Sequence, residues 1–195
     1  MDHPTAKFKV LLLGASAGGI AAIQKILSSL SVNFFAPIIV VQHLPESFAV
    51  NPSLVFKIPK NYSIMEAGDK EFIEARHIYL APSGYHLSIE RDSSFSLAQD
   101  EPLHYCRPSL DVLFESAARS LGERCVGVLL TGANADGASG LRSIQKAGGM
   151  TMVQDPHEAE SSMMPLAALE LFRPDFVGTL EDISRRLNTF QFEVE

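Results

Sequence analysis

Short, continuously apolar runs alternate with segments of helical spacing along most of this chain. Residues 8–13 are apolar apart from one lysine and read as a buried strand. Ile20, Ile23, Leu27 and Leu30 then recur at helical spacing through a segment that closes at residues 28–31. Residues 37–41 form a second apolar run. Strands covered on both faces lose the inside–outside alternation, so two such runs with a helix between them predict a parallel βαβ unit. Residues 46–64 are the least legible: Pro52 and Pro59 bracket a stretch at 53–58 that allows only a short helix or an irregular loop. Residues 78–81 form a strand stopped by Pro82-Ser83-Gly84. Residues 86–91 and 95–99 alternate across the polar turn Asp92-Ser93-Ser94, the pattern of an antiparallel hairpin lying beside the main sheet.

The second half repeats the strand–helix rhythm. Leu110, Leu113, Phe114, Ala117 and Leu121 line one helical face, with Ser109 placed to cap it and Asp111 in its first turn. Residues 126–130 form a further buried strand that ends in Thr131-Gly132-Ala133-Asn134-Ala135-Asp136-Gly137. A short helix with Leu141 and Ile144 inward follows, terminated by Gly148-Gly149. Strands are expected at 150–153 and 176–180, a helix from Pro165 to Phe172, and a terminal helix at 181–190. The alternation defines an α/β fold with a mainly parallel sheet and an antiparallel β-hairpin.

Composition narrows the function class. The 195 residues suit one domain, and 46% hydrophobic with 20% charged is ordinary globular usage. A net charge of −7 and the lack of any basic tract argue against nucleic acid as a partner. Two cysteines, Cys106 and Cys125, form neither a C-x-x-C pair nor a disulfide framework, which fits a reducing cytoplasm. The start of the chain has no basic region followed by a long apolar segment, and no apolar run approaches the ~18 residues of a membrane span, so neither a signal peptide nor membrane insertion is expected.

The candidate chemistry gathers where strands end. The first strand runs into Gly14-Ala15-Ser16-Ala17-Gly18-Gly19, a strand–turn–helix step with one hydroxyl at the turn, as in a nucleophile elbow. Alone, such a turn is equally compatible with a structural or phosphate-cradling role. The nucleotide alternative needs an acidic or basic residue at the end of the second strand, where this chain has Gln42-His43. It also needs a Tyr-x-x-x-Lys pair, which none of the four tyrosines provides, and no Gly-Lys-Ser/Thr follows for a Walker turn. Ser16, His43 and Asp136 each follow an apolar strand, and in a doubly wound parallel sheet those ends face one crevice. A serine hydroxyl needs an imidazole to take its proton, and a carboxylate behind the imidazole fixes its tautomer. Singly, His43 is compatible with a structural histidine and Asp136 with an Asx-turn. His86 and His104 read as surface or loop residues, and Met163-Met164 as core packing. Cys106 beside Arg107 is compatible with an activated thiol, but no signature supports that. No histidine spacing suggests a metal site, and no cofactor is expected.

Together these segments resemble the catalytic domain of the chemotaxis protein-glutamate methylesterases, the CheB family. The matching stretches are Leu13 to Gly19, Val41-Gln42-His43-Leu44-Pro45 with Phe48, and Ile78 to Pro82. They continue through Arg107 to Phe114, Val128 to Gly132, Asp136-Gly137-Ala138, Gln154-Asp155 and Met164-Pro165. The resemblance implies a three-layer α/β/α fold around about seven strands, with Ser16 as nucleophile, His43 as base and Asp136 as orienting carboxylate. It implies hydrolysis of glutamate γ-methyl esters on helices of methyl-accepting chemoreceptors, with glutamine deamidation as a further activity of the family. Ala17, Ala133 and Arg107 are its candidate oxyanion or substrate groups, Ala133 standing where the family usually shows methionine. The family usually carries a receiver domain, for which this chain has no room, so a single catalytic domain is expected, either constitutive or regulated by a separate protein. A charged amphipathic helix that the family shows at 49–64 is missing here, which leaves the receptor-binding face and the identity of the substrate open. A non-catalytic adaptor that keeps the fold is the alternative, and a nucleotide-binding oxidoreductase a more distant one.

Overall fold

The computed structural model describes residues 8–43 and 56–192. Within them the chain builds β1 (Val10–Ala15), α1 (Gly19–Ser29), β2 (Ile38–Gln42), β3 (Ser63–Glu66), β4 (His77–Leu80), β5 (His86–Ile89) and β6 (Phe95–Ala98). It continues with α2 (Leu110–Leu121), β7 (Cys125–Leu129), α3 (Ala138–Lys146), β8 (Met150–Gln154), α4 (Met163–Leu171), β9 (Phe176–Gly178) and α5 (Leu180–Leu187). Seven strands pair in the order β3-β4-β2-β1-β7-β8-β9, every pair parallel, and β5 and β6 form a separate antiparallel hairpin. Among the described residues no helix is long and apolar enough to cross a membrane.

The pleat of β1 explains the three layers. Leu11, Leu13 and Ala15 point to one face and pack with Ile23, Ile26 and Leu27 of α1 and Ile183 and Leu187 of α5. Val10 and Leu12 point to the other face and join Leu113 and Phe114 of α2, Leu141 of α3 and Met164 of α4. A strand buried on both faces is apolar throughout, which is why β1, β2 and β7 are conspicuous in the sequence. The hairpin covers α2: Ile89 N donates to Ser116 Oγ, Ser120 Oγ donates to Ile89 O, and Phe95 meets Tyr79 of β4 edge-on at 4.8 Å.

Several expectations shift. β3 has no counterpart in the apolar pattern, because this edge strand buries none of its four residues fully. Half of the short helix or loop expected at 53–58 lies outside the described residues, as do Leu44, Pro45 and Phe48, and residues 56–58 are in neither helix nor strand. α4 starts at Met163 rather than at Pro165, which sits in the first turn, where a missing N–H costs nothing. Its two methionines diverge: Met164 is buried and Met163 exposed. His86 is not a surface residue. It lies in the core, with Nε2 donating to Glu101 O and Nδ1 accepting from Ser109 N, so the imidazole closes two backbone bonds. Ser109 occupies the N-cap position of α2, yet its hydroxyl caps nothing on that helix. What caps α2 belongs to the site.

Candidate active site

Strand order brings the candidate residues together. β2, β1 and β7 are neighbours in parallel register, with Gly14 opposite Val41 and Leu129, and Ala15 opposite Gln42. Ser16 and His43 therefore leave the sheet at the same height, and the loop after β7 rises beside them. This edge is the topological switch point, where the chain crosses from one half of the sheet to the other and leaves a crevice beyond the strand ends. Ser16, Ala17, Gly18, Gln42 and His43 line an open cleft of about 640 Å³ there.

The serine turn is held by its backbone. Ser16 N donates to Thr131 O at 2.9 Å, Gly19 N closes the turn onto Ser16 O, and Gln42 Nε2 clamps Ser16 O and His43 O at 2.7 and 3.0 Å. Gly18 takes φ +76°, a conformation that disfavours a side chain, and an added Cβ would lie 2.7 Å from Glu160 Cβ. The Ser16 hydroxyl makes no hydrogen bond among the described residues, to His43 or to anything else.

His43 and Asp136 are joined. Nε2 of the imidazole donates to Asp136 Oδ2 at 2.9 Å, with the His43 side chain 11% exposed and the carboxylate fully buried. Because a carboxylate only accepts, Nε2 carries the proton, and in the neutral ring Nδ1 is left with its lone pair, 3.5 Å from Cys106 Sγ. Asp136 is also the missing cap of α2. Leu110 N donates to Oδ2 at 2.7 Å, Asp111 N to Oδ1 at 3.2 Å, and Ser109 Oγ to Oδ1 at 2.7 Å. The carboxylate thus takes the first free N–H groups of the helix and sits at the positive end of its dipole. Burial pushes its pKa up. The bonds from His43, Leu110 N and Ser109, with the imidazole's charge, more than offset that and hold the group below the ordinary 3.8. The turn that carries it is an Asx-turn made by Asn134, whose Oδ1 accepts from Asp136 N, rather than by Asp136 itself.

A second buried carboxylate backs the first. Asp111 Oδ1 accepts from Gly137 N at 3.0 Å and Gly140 N at 2.7 Å, locking the start of α3 onto α2, while Oδ2 lies 3.4 Å from Nε2 of exposed His104. Desolvation raises the Asp111 pKa, and the neighbouring Asp136 charge adds to the rise. One environment keeps its acid charged and the other disfavours the charge, so the two carboxylates divide their roles. The sequence placed Asp111 as a dipole residue only, and no signal identified it or His86 as support for Asp136.

The remaining candidates separate. Ala17 lines the cleft and Ala133 is exposed on the loop after β7, and the N–H groups of both donate to nothing among the described residues. Arg107 turns its guanidinium to the backbone, donating from Nη1 to Gln99 O at 3.3 Å and Asp100 O at 3.1 Å. Cys106 is not the activated thiol that its neighbour Arg107 suggested. Burial, then the Asp136 charge, raises its pKa and keeps it protonated. Its Sγ lies 3.5 Å from His43 Nδ1 and accepts from Asn134 Nδ2 at 3.1 Å.

A parallel α/β sheet with a serine turn and an imidazole–carboxylate pair at its carboxyl edge is an arrangement that acyl-transfer chemistry can use. Comparison with known proteins narrows this. The family model described as CheB methylesterase matches residues 11–187. A Leptospira interrogans homologue is 42% identical over 91% of this chain and 92% of its own length. The Hydrogenovibrio crunogenus protein-glutamate methylesterase/protein-glutamine glutaminase is 36% identical over 95% of this chain and 50% of its own length. The crystal structure of the Thermotoga maritima CheB methylesterase catalytic domain superposes with a TM-score of 0.83 at 28% identity, covering 93% of this chain and 98% of that one. The chain belongs to the CheB methylesterase family, a family of ester-hydrolysing enzymes.

Proposed function

We propose that the protein hydrolyses glutamate γ-methyl esters on methyl-accepting chemoreceptor helices, through a triad of Ser16, His43 and Asp136. The hydrogen-bonded pair of His43 and buried Asp136 beside the Ser16 turn carries this reading. With Nε2 held by Asp136, His43 takes the serine proton on Nδ1 as Ser16 Oγ attacks the ester carbonyl. Asp136 keeps the proton on Nε2 and stabilises the imidazolium, while the N–H groups of Ala17 and Ala133 face the developing oxyanion. One such donor is typically worth about 3 kcal/mol in the transition state. His43 then returns the proton to the departing methoxide, methanol leaves, and water releases the acyl group from Ser16 by the same steps.

The Ser16–His43 bond closes when substrate enters the cleft, since catalytic hydrogen bonds tighten in the Michaelis complex. Glutamine deamidation would run through the same acyl-enzyme with ammonia leaving.

The test is methanol release from a methyl-labelled receptor fragment by the wild type and by Ser16→Ala. Release by the wild type alone is expected. Equal release by both would overturn the nucleophile assignment. Release by neither, with the fragment still bound, would make the protein an adaptor.

A further inference from the structure

We propose that Cys106 and His43 together capture a thiophilic divalent cation such as Zn²⁺, and that capture switches the esterase off. The second half of this statement rests on His43 being the base; the first does not.

The geometry is that of two ligands of one ion. Cys106 Sγ and His43 Nδ1 are 3.5 Å apart. With Zn–S of ~2.3 Å and Zn–N of ~2.0–2.1 Å, a tetrahedral centre separates its sulfur and nitrogen ligands by about 3.5–3.6 Å, so an ion can bridge the pair with little movement of either side chain. The imidazole is already turned for this. Its Nε2–H is engaged by Asp136 at 2.9 Å, and metal-bound histidines characteristically give their second nitrogen to a carboxylate, which fixes the tautomer and raises the basicity of the ligating nitrogen. His43, Cys106 and Asp136 offer donor atoms all within 4.8 Å of one another. Asp136 serves as the outer carboxylate here, because its two oxygens already accept from His43, Ser109, Leu110 and Asp111. Asn134 Nδ2 points at the sulfur from 3.1 Å and stabilises it as a thiolate.

The chemistry balances without a redox step. The Cys106 thiol loses its proton to solvent, the thiolate and Nδ1 displace two waters from the ion, and the remaining positions keep water. Capture releases the thiol proton, because the thiolate is the form that binds the ion. Two protein ligands, against the usual four of a structural zinc site, make capture reversible. Nδ1 is the nitrogen that must accept the Ser16 proton, so an ion seated there removes the base. Sequence spacing gave no hint of this, because positions 43 and 106 meet only in the folded chain.

The test uses the purified full chain and the metal alone. Co²⁺ is titrated while the thiolate-to-cobalt charge-transfer absorption in the near ultraviolet is followed, and Zn²⁺ is titrated against ester hydrolysis, with chelator added at the end. The wild type and Cys125→Ala, whose lost thiol is fully buried on β7, should both develop the cobalt band. Cys106→Ser and Cys106→Ala should not. Zn²⁺ should inhibit the wild type reversibly, and Cys106→Ala should raise the half-inhibiting concentration by roughly tenfold or more, since even outer ligands contribute on that scale. A band that survives in both Cys106 variants, no band in the wild type, or Zn²⁺ inhibition unchanged in Cys106→Ala would overturn the proposal. The cobalt band does not depend on turnover. A chain that shows it but releases no methanol keeps the capture site and loses the catalytic reading, and an active chain without it does the reverse.

Discussion

Replacing Asp136 by Asn tests both what holds the site and what the site does. The carboxylate accepts from His43 Nε2 and Leu110 N on one oxygen, and from Ser109 Oγ and Asp111 N on the other. An amide has one oxygen, so one of these two pairs must face an NH₂ group. If the oxygen stays with Ser109 and Asp111, the NH₂ meets Leu110 N–H and the imidazole. Leu110 N–H is then a buried donor without an acceptor, which costs about 1–3 kcal/mol. Loss of the negative charge at the N-terminus of α2 adds about 0.3–1 kcal/mol. The expected destabilisation is about 3 kcal/mol, a fall in Tm of about 10 °C for a domain of this size. The amide also donates to Nε2, which drives the imidazole proton to Nδ1, the atom that must accept from Ser16. In Ser-His-Asp triads this wrong tautomer costs about 10⁴ in kcat, or about 5.5 kcal/mol of transition-state stabilisation. Methanol release at a temperature well below the lowered Tm measures the kinetic term, and ¹⁵N chemical shifts of His43 report which nitrogen is protonated. A variant within tenfold of wild-type kcat whose imidazole still carries its proton on Nε2 would refute the reasoning, even if its stability fell as expected.

Two further substitutions separate support from chemistry. Asp111→Ala leaves Gly137 N and Gly140 N without their acceptor and should destabilise by about 2–5 kcal/mol, whereas Asp111→Asn keeps the accepting oxygen and should cost far less. Because the folded-state pKa of Asp111 is raised, the folded protein binds that proton more tightly than the unfolded chain. Wild-type stability relative to Asp111→Asn should therefore fall as pH rises from the ordinary 3.8 through the raised value, which urea midpoints across the acid range would show; a rise would contradict the assignment. Gly18→Ala forces a side chain into φ +76° and against Glu160, and should lower stability by about 1–2 kcal/mol while displacing the Ser16 turn, so that kcat falls more than thermal melting alone explains.

The parts of this protein legible in one dimension are those whose physics is local. A strand covered on both faces must be apolar throughout, so β1, β2, β7 and β8 stand out. A helix buried on one face must repeat near every 3.6 residues, so α1 and α2 do as well. The Gly14–Gly19 turn announces itself because a strand-to-helix turn at φ +76° favours glycine. β3 stays hidden for the complementary reason: an edge strand with no fully buried residue carries no apolar signature. The residue types of an acyl-transfer site, Ser16, His43 and Asp136, were also visible, each following an apolar strand.

What brings them together is strand order and register, which no local pattern encodes. Placing β1 between β2 and β7 brings Ser16 and His43 to one cleft with Asp136 bonded to His43, although more than a hundred positions separate residues 16 and 136. The same arrangement makes Asp136 the cap of α2, the task expected of Ser109, and frees the Ser109 hydroxyl to bind that carboxylate instead. It draws His86 from an assumed surface hairpin into the core beneath Ser109, and sets the Cys106 thiol against the imidazole nitrogen that the chemistry needs. Burial and hydrogen bonding depend on what lies across space. The sequence by itself therefore determined the layers and the chemical types at their edge, and only the tertiary structure decided which groups carry charge, which hold protons and which partner each one meets.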